Sequence, residues 1–183
     1  KMPYDLHQFD QICETLLLEG FIVWNIEYRR TGVPKRKWLD PFEDGIKSVN
    51  YLRELKKNYS QIDVNNVIIM GHSAGGQLAL LIAAKAERKP WLAIAQAPIT
   101  DLVGADHAKL SDDGDAVRKW IGCAPEEDES LWSNLNPVDN PPVAPVLLIH
   151  GEDDDEVPIE QSETYARVMN AKGSDVQKVW LPG

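Results

Sequence analysis

The segment Ile68–Ala84, IIMGHSAGGQLALLIAA, contains a serine whose neighbours suit nucleophilic chemistry. Ser73 stands between Gly71 and Gly75, after an apolar run and before a segment of helical length. A sharp, strained turn from strand to helix lifts a serine hydroxyl out of a sheet. Glycines two residues away on either side keep side chains out of the tight approach between strand and helix, because a Cβ atom there would collide. The pattern therefore predicts that Ser73 is a nucleophile.

The residue after this serine supplies the second part of that chemistry. The backbone N–H of Ala74 is expected at a helix N-terminus, where unpaired donors and the helix dipole stabilise an oxyanion on a tetrahedral intermediate. The alternative is that Ser73 only caps the helix with its side chain. Capping does not explain both glycines and the preceding strand, so we favour the nucleophile.

The elements that must position Ser73 follow a regular alternation. Short apolar runs rich in branched residues alternate with segments that carry apolar residues at three- and four-residue spacing, which predicts an α/β fold with a mostly parallel twisted sheet. The right-handed crossover rule places helices on both faces of that sheet. The predicted strands are Gly20–Arg29, Asn66–Met70, Trp91–Ala97, Val143–His150 and Val176–Leu181. The predicted helices are Leu6–Glu19, Phe42–Asn58 (with Asp40 as its N-cap), Ser73–Ala86 and Ile159–Ala171.

One region interrupts the alternation. From Thr100 to Pro142 the sequence offers no clear strand and one short helix, around Asp115–Ile121. An excursion of this length in an α/β domain is more often functional than a structureless connector. We therefore predict a single domain over residues 1–183, with a lid or substrate-binding excursion at about residues 100–142.

Composition excludes several classes of protein. The 183 residues carry a net charge of −10, which disfavours nucleic-acid binding, and we interpret the acidic run Glu126–Glu129 as a solvated loop. No apolar run is long enough to span a bilayer and the N-terminus lacks the apolar region of a secretory signal, so we expect a soluble, cytoplasmic protein without a membrane partner. Cys13 and Cys123 are far apart and suggest neither a disulfide framework nor a metal site. We expect no cofactor.

The segment GHSAGG after an apolar strand resembles the nucleophile elbow of the α/β-hydrolase superfamily. The segments WNIEYRR, PITDL and HGEDDDEVP extend the resemblance to bacterial esterases and acylaminoacyl-peptidase-like members, from Tyr4 to Gly183. The resemblance implies a triad in the chain order serine, acid, histidine. Matched to the family pattern, HGEDDDEVP selects Asp154 as the acid, with Asp153 and Asp155 as the register alternatives.

The resemblance also implies parts that the printed sequence does not contain. The catalytic histidine is expected just after Gly183, and the HGG-type loop that supplies a second oxyanion donor is expected before Tyr4. Four histidines are present, at positions 7, 72, 107 and 150, and none has the expected place in the chain. We therefore expect a fragment or a natural truncation, and little or no ester turnover by the 183 residues alone.

The function predicted from these residues is cleavage of carboxylic esters through an acyl-enzyme, with small esters or acyl sugars as substrates. Two alternatives stay open: a non-catalytic binding module of the same fold, and a peptidase or amidase. The sequence does not fix the oligomeric state. Candidates for lining a pocket, each with ordinary packing or turn formation as the alternative, are Trp38, Thr100, Asp101, Trp120 and Trp132.

Overall fold

A four-stranded sheet is the centre of residues 65–183 in the computed structural model, which describes residues 6–30, 37, 39–110 and 114–182. Every neighbouring pair of strands is parallel, and the order in space is the order in the chain. This confirms the predicted parallel sheet of an α/β fold. The strands are β1 (Ile68–His72), β2 (Leu92–Gln96), β3 (Val146–Gly151) and β4 (Val176–Leu181).

The described helices fall into two compact units of the chain, residues 1–64 and residues 65–183. That the chain is a single domain stays a prediction. None of the described helices is both long and apolar enough to cross a membrane. The first unit contains a 3₁₀ turn (Leu6–Phe9), α1 (Asp10–Leu18) and α2 (Asp40–Asn58). The second contains α3 (Ala74–Lys85), α4 (Leu102–His107), α5 (Ala116–Ile121), α6 (Glu129–Leu135), a 3₁₀ turn (Pro137–Asp139) and α7 (Glu160–Ala171).

The core of residues 65–183 lies between the sheet and two helices. Strand register pairs Ala93 with Val146 and Val146 with Val176, so these three side chains lie on one face of the sheet. Leu80 of α3 and Met169 of α7 pack against that face in the same buried cluster. Full burial of a leucine or methionine side chain contributes about 1.5–3 kcal/mol. Helix α3 is buried over the eight residues 76–83, which explains its almost continuous apolar sequence.

The predicted strand Gly20–Arg29 is wrong. Residues 21–30 form no strand in the described part of the chain, and Trp24 is exposed. Apolar and branched residues favour an extended backbone, but a strand also needs a neighbour with which to pair its N–H and C=O groups. A side-chain contact holds this segment instead, since Asn25 Nδ2 donates to the carbonyl oxygen of Leu6 at 3.0 Å.

An ion-pair cluster lies at the start of α2. Arg29 donates from Nε and Nη2 to both carboxylate oxygens of Asp44, at 2.8 and 2.7 Å. Its Nη1 is 2.9 Å from Asp40 Oδ2. The Arg29 guanidinium holds the pKa of Asp44 below its ordinary value, chiefly through the side-chain hydrogen bond. Asp40 was predicted to be the N-cap. It is instead the first residue of α2, and its carboxylate accepts from the N–H of Lys37.

The described residues of the excursion, 100–110 and 114–142, contain three α-helices where the sequence predicted one. Asp101 caps α4 by accepting from the N–H of Gly104, and Asp128 caps α6 by accepting from the N–H of Leu131. Aspartate before a helical segment is a recognised start signal. Residues 126–128 are an exposed loop or turn, as predicted for the acidic run, but Glu129 is already the first residue of α6. Asp128 therefore lies in the solvated loop and caps the helix at the same time.

Polar side chains fix the excursion to its surroundings. Within it, Arg118 of α5 donates from Nε and Nη2 to the carboxylate of Asp106 in α4, at 2.6 and 2.7 Å, and that carboxylate is only 1% exposed. Two side chains of α3 reach the C-terminal end of α6: Lys85 Nζ donates to the carbonyl oxygen of Asn134 at 2.6 Å, and Gln77 Nε2 approaches that of Leu135 at 3.5 Å. Burial lowers the pKa of Lys85.

Candidate active site

The candidate active site lies at the edge of the sheet where the parallel strands end. Ser73 directly follows β1, and Asp154 lies three residues beyond the end of β3. Carboxyl ends of parallel strands share one edge, and ligands of open α/β sheets bind outside that edge. The fold therefore brings the predicted nucleophile and the predicted acid to the same edge.

The backbone at Ser73 is strained. Its φ is 52° and its ψ is −121°, in a region that residues with a Cβ atom rarely adopt. Backbone hydrogen bonds enforce this conformation: the Ser73 N–H donates to the carbonyl oxygen of Gln96 at 2.9 Å, and the Ser73 carbonyl accepts from the N–H of Gln77 at 3.0 Å. The Ser73 side chain forms no capping hydrogen bond, so capping does not explain this serine.

The glycines around Ser73 have unequal roles. A Cβ atom on Gly71 would lie 2.1 Å from the carbonyl oxygen of Gly75, so no side chain fits there. A Cβ atom on Gly75 would meet nothing within 4 Å, so the predicted collision at Gly75 is wrong. Gly75 takes part in the close approach through its backbone carbonyl. Only Gly71, which faces that carbonyl, must lack a side chain. Gly76 is the second tight position, because its Cβ would lie 3.1 Å from Pro98 Cβ and 3.2 Å from the Gln96 carbonyl oxygen.

Ala74 is the first residue of α3 and is exposed. The first N–H groups of an α-helix have no partner within the helix and carry the positive end of its dipole. The Ala74 N–H, directly after Ser73 in the chain, is therefore one of these first N–H groups of α3.

The carboxylate of Asp154 is held from one side. Its Oδ1 accepts from the N–H groups of Glu156 and Val157, at 3.0 and 2.8 Å. Its side chain is 23% exposed, whereas the neighbouring Asp153 and Asp155 are exposed residues. Two donors on Oδ1 leave Oδ2 as the oxygen that can accept from a further group.

His150 lies close to Asp154 but is enclosed. Its Nε2 is 2.8 Å from the carbonyl oxygen of Val157 and 3.5 Å from Asp154 Oδ2, and its Nδ1 is 2.7 Å from Ser162 Oγ. Ser162, His150 and Asp154 thus form a serine, histidine and aspartate series. Ser162 is 0% exposed and His150 1%, so neither can meet a substrate in this arrangement. His150 is therefore a poor candidate for the catalytic base.

The other histidines occupy exposed positions. His7 pairs with Asp10 at 2.8 Å in the first unit of the chain. His72 and His107 are exposed, at the end of β1 and the end of α4. These placements add no candidate for the base to the sequence interpretation.

The candidate pocket residues divide by burial. Thr100 is 0% exposed, its Oγ1 donates to the carbonyl oxygen of Gln161 at 2.5 Å, and Trp132 is 1% exposed. Both side chains are packed inside the protein and offer no surface to a ligand. Asp101 is partly buried and caps α4, which agrees with its turn-forming alternative. Trp120 is partly buried, and Trp38 lies outside the described residues.

Gln161 is a residue near the candidate site for which no sequence pattern predicted a role. Its Oε1 accepts from the N–H groups of Thr100 and Asp101, at 2.9 and 2.8 Å. Gln161 lies in the first turn of α7, so it joins the loop after β2 to the helix that follows the acid loop. No local sequence pattern predicts these hydrogen bonds of Gln161, because its partners lie about 60 residues away in the chain.

This parallel sheet with a strained serine between β1 and α3 defines an α/β-hydrolase fold. The chain matches the BD-FAE family over residues 3–169 and belongs to that family of esterase-like α/β-hydrolases. It is 28% identical to endo-1,4-beta-xylanase B of Butyrivibrio fibrisolvens in an alignment 154 residues long that covers 77% of this chain and 23% of that protein.

Solved structures show the same fold at lower identity. Esterase B of Lactobacillus rhamnosis superimposes with a TM-score of 0.80 at 21% identity, over 98% of this chain and 61% of its own. An acetyl ester-xyloside bifunctional hydrolase of Caldicellulosiruptor lactoaceticus gives 0.78 at 22% identity, over 98% and 67%. A propionate-bound esterase of Thermogutta terrifontis gives 0.74 at 21% identity, over 97% and 66%. The chain thus spans about two thirds of these hydrolases and under a quarter of the xylanase.

Proposed function

We propose that this chain carries the nucleophile and the acid of a serine hydrolase that cleaves carboxylic esters. The observation that carries the proposal is the strained backbone of Ser73 directly before the free N-terminus of α3. Strain of this kind costs of order 1–3 kcal/mol and persists where the surrounding structure enforces it, most often at active sites. Membership of a family of esterase-like hydrolases supports the same conclusion.

The reaction follows from the groups at this edge. A base removes the proton of Ser73 while Oγ attacks the ester carbonyl carbon, and the Ala74 N–H donates to the oxyanion of the tetrahedral intermediate. The intermediate collapses to an acyl-serine, and the base returns the proton to the departing alcohol. Water, deprotonated by the same base, then attacks the acyl carbon, which releases the carboxylic acid and restores Ser73.

Asp154 orients the base in this scheme. We assign the base to a histidine following β4, because β4 is parallel to β1 and β3 and directs the succeeding residues to the same edge of the sheet. An acid whose loop N–H groups bind only Oδ1 suits this role, since its Oδ2 can accept the second N–H of the imidazole and fix its tautomer.

The favoured substrate is an acyl group esterified to a xylose-based carbohydrate. Two proteins similar to this chain carry names that point in this direction, the xylanase and the acetyl ester-xyloside hydrolase. An ester is favoured over an amide because the solved esterases superimpose over nearly the whole chain, whereas an acylaminoacyl peptidase does so over 80% with a TM-score of 0.67.

Fluorophosphonate labelling of the protein at its natural length tests the proposal. Mass spectrometry is expected to find the adduct on Ser73, and Ser73→Ala is expected to abolish it. Release of acetate from acetylated xylo-oligosaccharides is compared with release from an aryl acetate and with hydrolysis of an acyl-amino-acid anilide. A folded protein that takes up no label at Ser73 would establish the non-catalytic module instead. Faster turnover of the anilide would move the activity to the amidases.

A further inference from the structure

His150, buried behind the acid loop of residues 152–157, forms hydrogen bonds that determine its tautomer. The carbonyl oxygen of Val157 can only accept, so the His150 Nε2 at 2.8 Å must carry a proton. In the neutral ring Nδ1 is then an acceptor, and the Ser162 hydroxyl donates to it at 2.7 Å. With Ser162 0% exposed, this pair is held within the protein, where unpaired polar groups are costly.

These hydrogen bonds continue to Asp154 through one residue. His150 holds the carbonyl oxygen of Val157, and the N–H of the same Val157 donates to Asp154 Oδ1 at 2.8 Å. The His150 imidazole therefore holds Val157 in place, and Val157 in turn holds the Asp154 carboxylate. The same Nε2 also lies 3.5 Å from Asp154 Oδ2.

We propose that His150 is a positioning residue that, through Val157, holds Asp154 so that Oδ2 faces the catalytic base. The assignment rests on the proposed function, since it gives Asp154 the role of the acid. It explains why a buried polar pair, His150 and Ser162, lies behind a loop whose only partly buried carboxylate is Asp154. As long as the loop keeps this shape, its N–H groups bind Oδ1 of Asp154, and Oδ2 can accept from the base.

The variants of the test separate loop geometry from general stability. His150→Leu removes both hydrogen bonds, whereas His150→Gln keeps an amide donor near the position of Nε2. Ser162→Ala is a milder change that removes only the donor to Nδ1 and serves if the leucine variant does not fold. Met169 belongs to the core cluster and lies on α7, the helix that also contains Ser162. Met169→Ala is therefore the control for a loss of stability away from the acid loop.

Two measurements report on the loop without requiring activity. Nitrogen-15 NMR of the His150 ring is expected to show the Nε2–H tautomer. Amide hydrogen exchange at Glu156 and Val157 is expected to rise at least about tenfold in His150→Leu beyond the rise in Met169→Ala, through local opening of the loop. An Nδ1–H tautomer, or equal exchange in the two variants, would overturn the proposal.

Kinetics of the protein at its natural length complete the test. His150→Leu is expected to lower kcat by about 10- to 100-fold with KM within about twofold, because a small displacement of a catalytic group acts on the chemical step. His150→Gln is expected to recover most of that loss. A fall in kcat no larger than in Met169→Ala, or a change confined to KM, would contradict a positioning role. Absence of label on wild-type Ser73 would instead refute the proposed function, while tautomer and exchange would still decide what His150 does to the loop.

Discussion

The hydrogen atom that replaces a side chain at Gly71 faces the backbone carbonyl of Gly75, with 2.1 Å between the position of an added Cβ and that oxygen. Gly71→Ala is therefore expected to destabilise the protein by about 3 kcal/mol or more, because strand β1 and helix α3 must separate. Gly75→Ala is expected to be neutral or to stabilise by up to about 1 kcal/mol, since it replaces a glycine within the helix and meets open space.

Urea denaturation of the two variants tests this difference. Equal losses of unfolding free energy in the two variants would contradict the finding that a side chain collides at Gly71 but not at Gly75. The rate of fluorophosphonate labelling adds a second comparison, because a methyl group at position 75 changes the surface next to the Ser73 hydroxyl without moving the elbow.

The φ of 52° at Ser73 predicts a difference in stability between two variants that lack the Ser73 hydroxyl. Ser73→Ala keeps a Cβ atom in the strained conformation, whereas Ser73→Gly removes the strain. Strain of about 1–3 kcal/mol outweighs the entropic cost of glycine, about 0.5–1 kcal/mol, so Ser73→Gly is expected to be the more stable variant by about 1 kcal/mol. Thermal unfolding in one buffer compares them directly. A glycine variant less stable than the alanine variant would mean that the protein stores no strain at this residue.

The hydrogen bonds of the Gln161 side chain are expected to contribute to the free energy of unfolding. Gln161→Leu leaves the N–H groups of Thr100 and Asp101 without their acceptor, at a cost of about 2–4 kcal/mol for one buried and one partly buried donor. Glu163→Ala, at an exposed position of the same helix, is the control and is expected to change stability by less than about 0.5 kcal/mol. Chemical denaturation gives both values, and amide exchange at Thr100 and Asp101 locates the loss. Unchanged protection of those two amides in Gln161→Leu would contradict the assignment.

The ion pair of Arg29 and Asp44 is expected to make the stability of the protein depend on pH. The pKa of folded Asp44 lies below its ordinary value of 3.8, chiefly because Arg29 hydrogen bonds to it. The unfolded chain therefore takes up this proton at a higher pH than the folded chain. The stabilisation is fully present above about pH 5 and is lost as the pH falls through the folded pKa.

The stability difference between wild type and Asp44→Asn should accordingly be largest near neutral pH and should shrink below pH 4. Guanidinium denaturation between pH 3 and pH 7 measures it. Glu54→Gln, an exposed carboxylate on the same helix paired only with Lys57 among its described contacts, is the control and should show a much smaller dependence. A constant difference for Asp44→Asn across the range would argue against the shifted pKa.

Local sequence signals predicted the parts of the fold that depend on neighbours in the chain. Strand β4 was predicted with both of its observed ends, Val176 and Leu181, because valines and a tryptophan in a short run between Asp175 and Pro182 suffice. The start of α6 was available in the same way from Asp128 and was missed only because it lies among other acids. Residues 21–30 show the limit of such signals, since no sequence pattern within them supplies a pairing strand.

The site shows the same division. The spacing around Ser73 predicted a strained turn, but it could not distinguish Gly71, whose side chain would collide, from Gly75, whose backbone is the obstacle. Burial of Trp132 and the hydrogen bonds of His150 and Gln161 arise from contacts between distant segments. Only the folded chain brings those atoms together.

Helix α3, which follows Ser73, also supports the excursion. Its Lys85 and Gln77 side chains form hydrogen bonds to carbonyl oxygens at the end of α6. A substitution that tilts α6 is therefore expected to displace Ser73 through α3, and a substitution in α3 is expected to displace the excursion. Mutational effects in these two helices are expected to be non-additive. Under the proposed function, evolution of a new acyl preference would thus depend on the order in which substitutions in α3 and α6 are acquired.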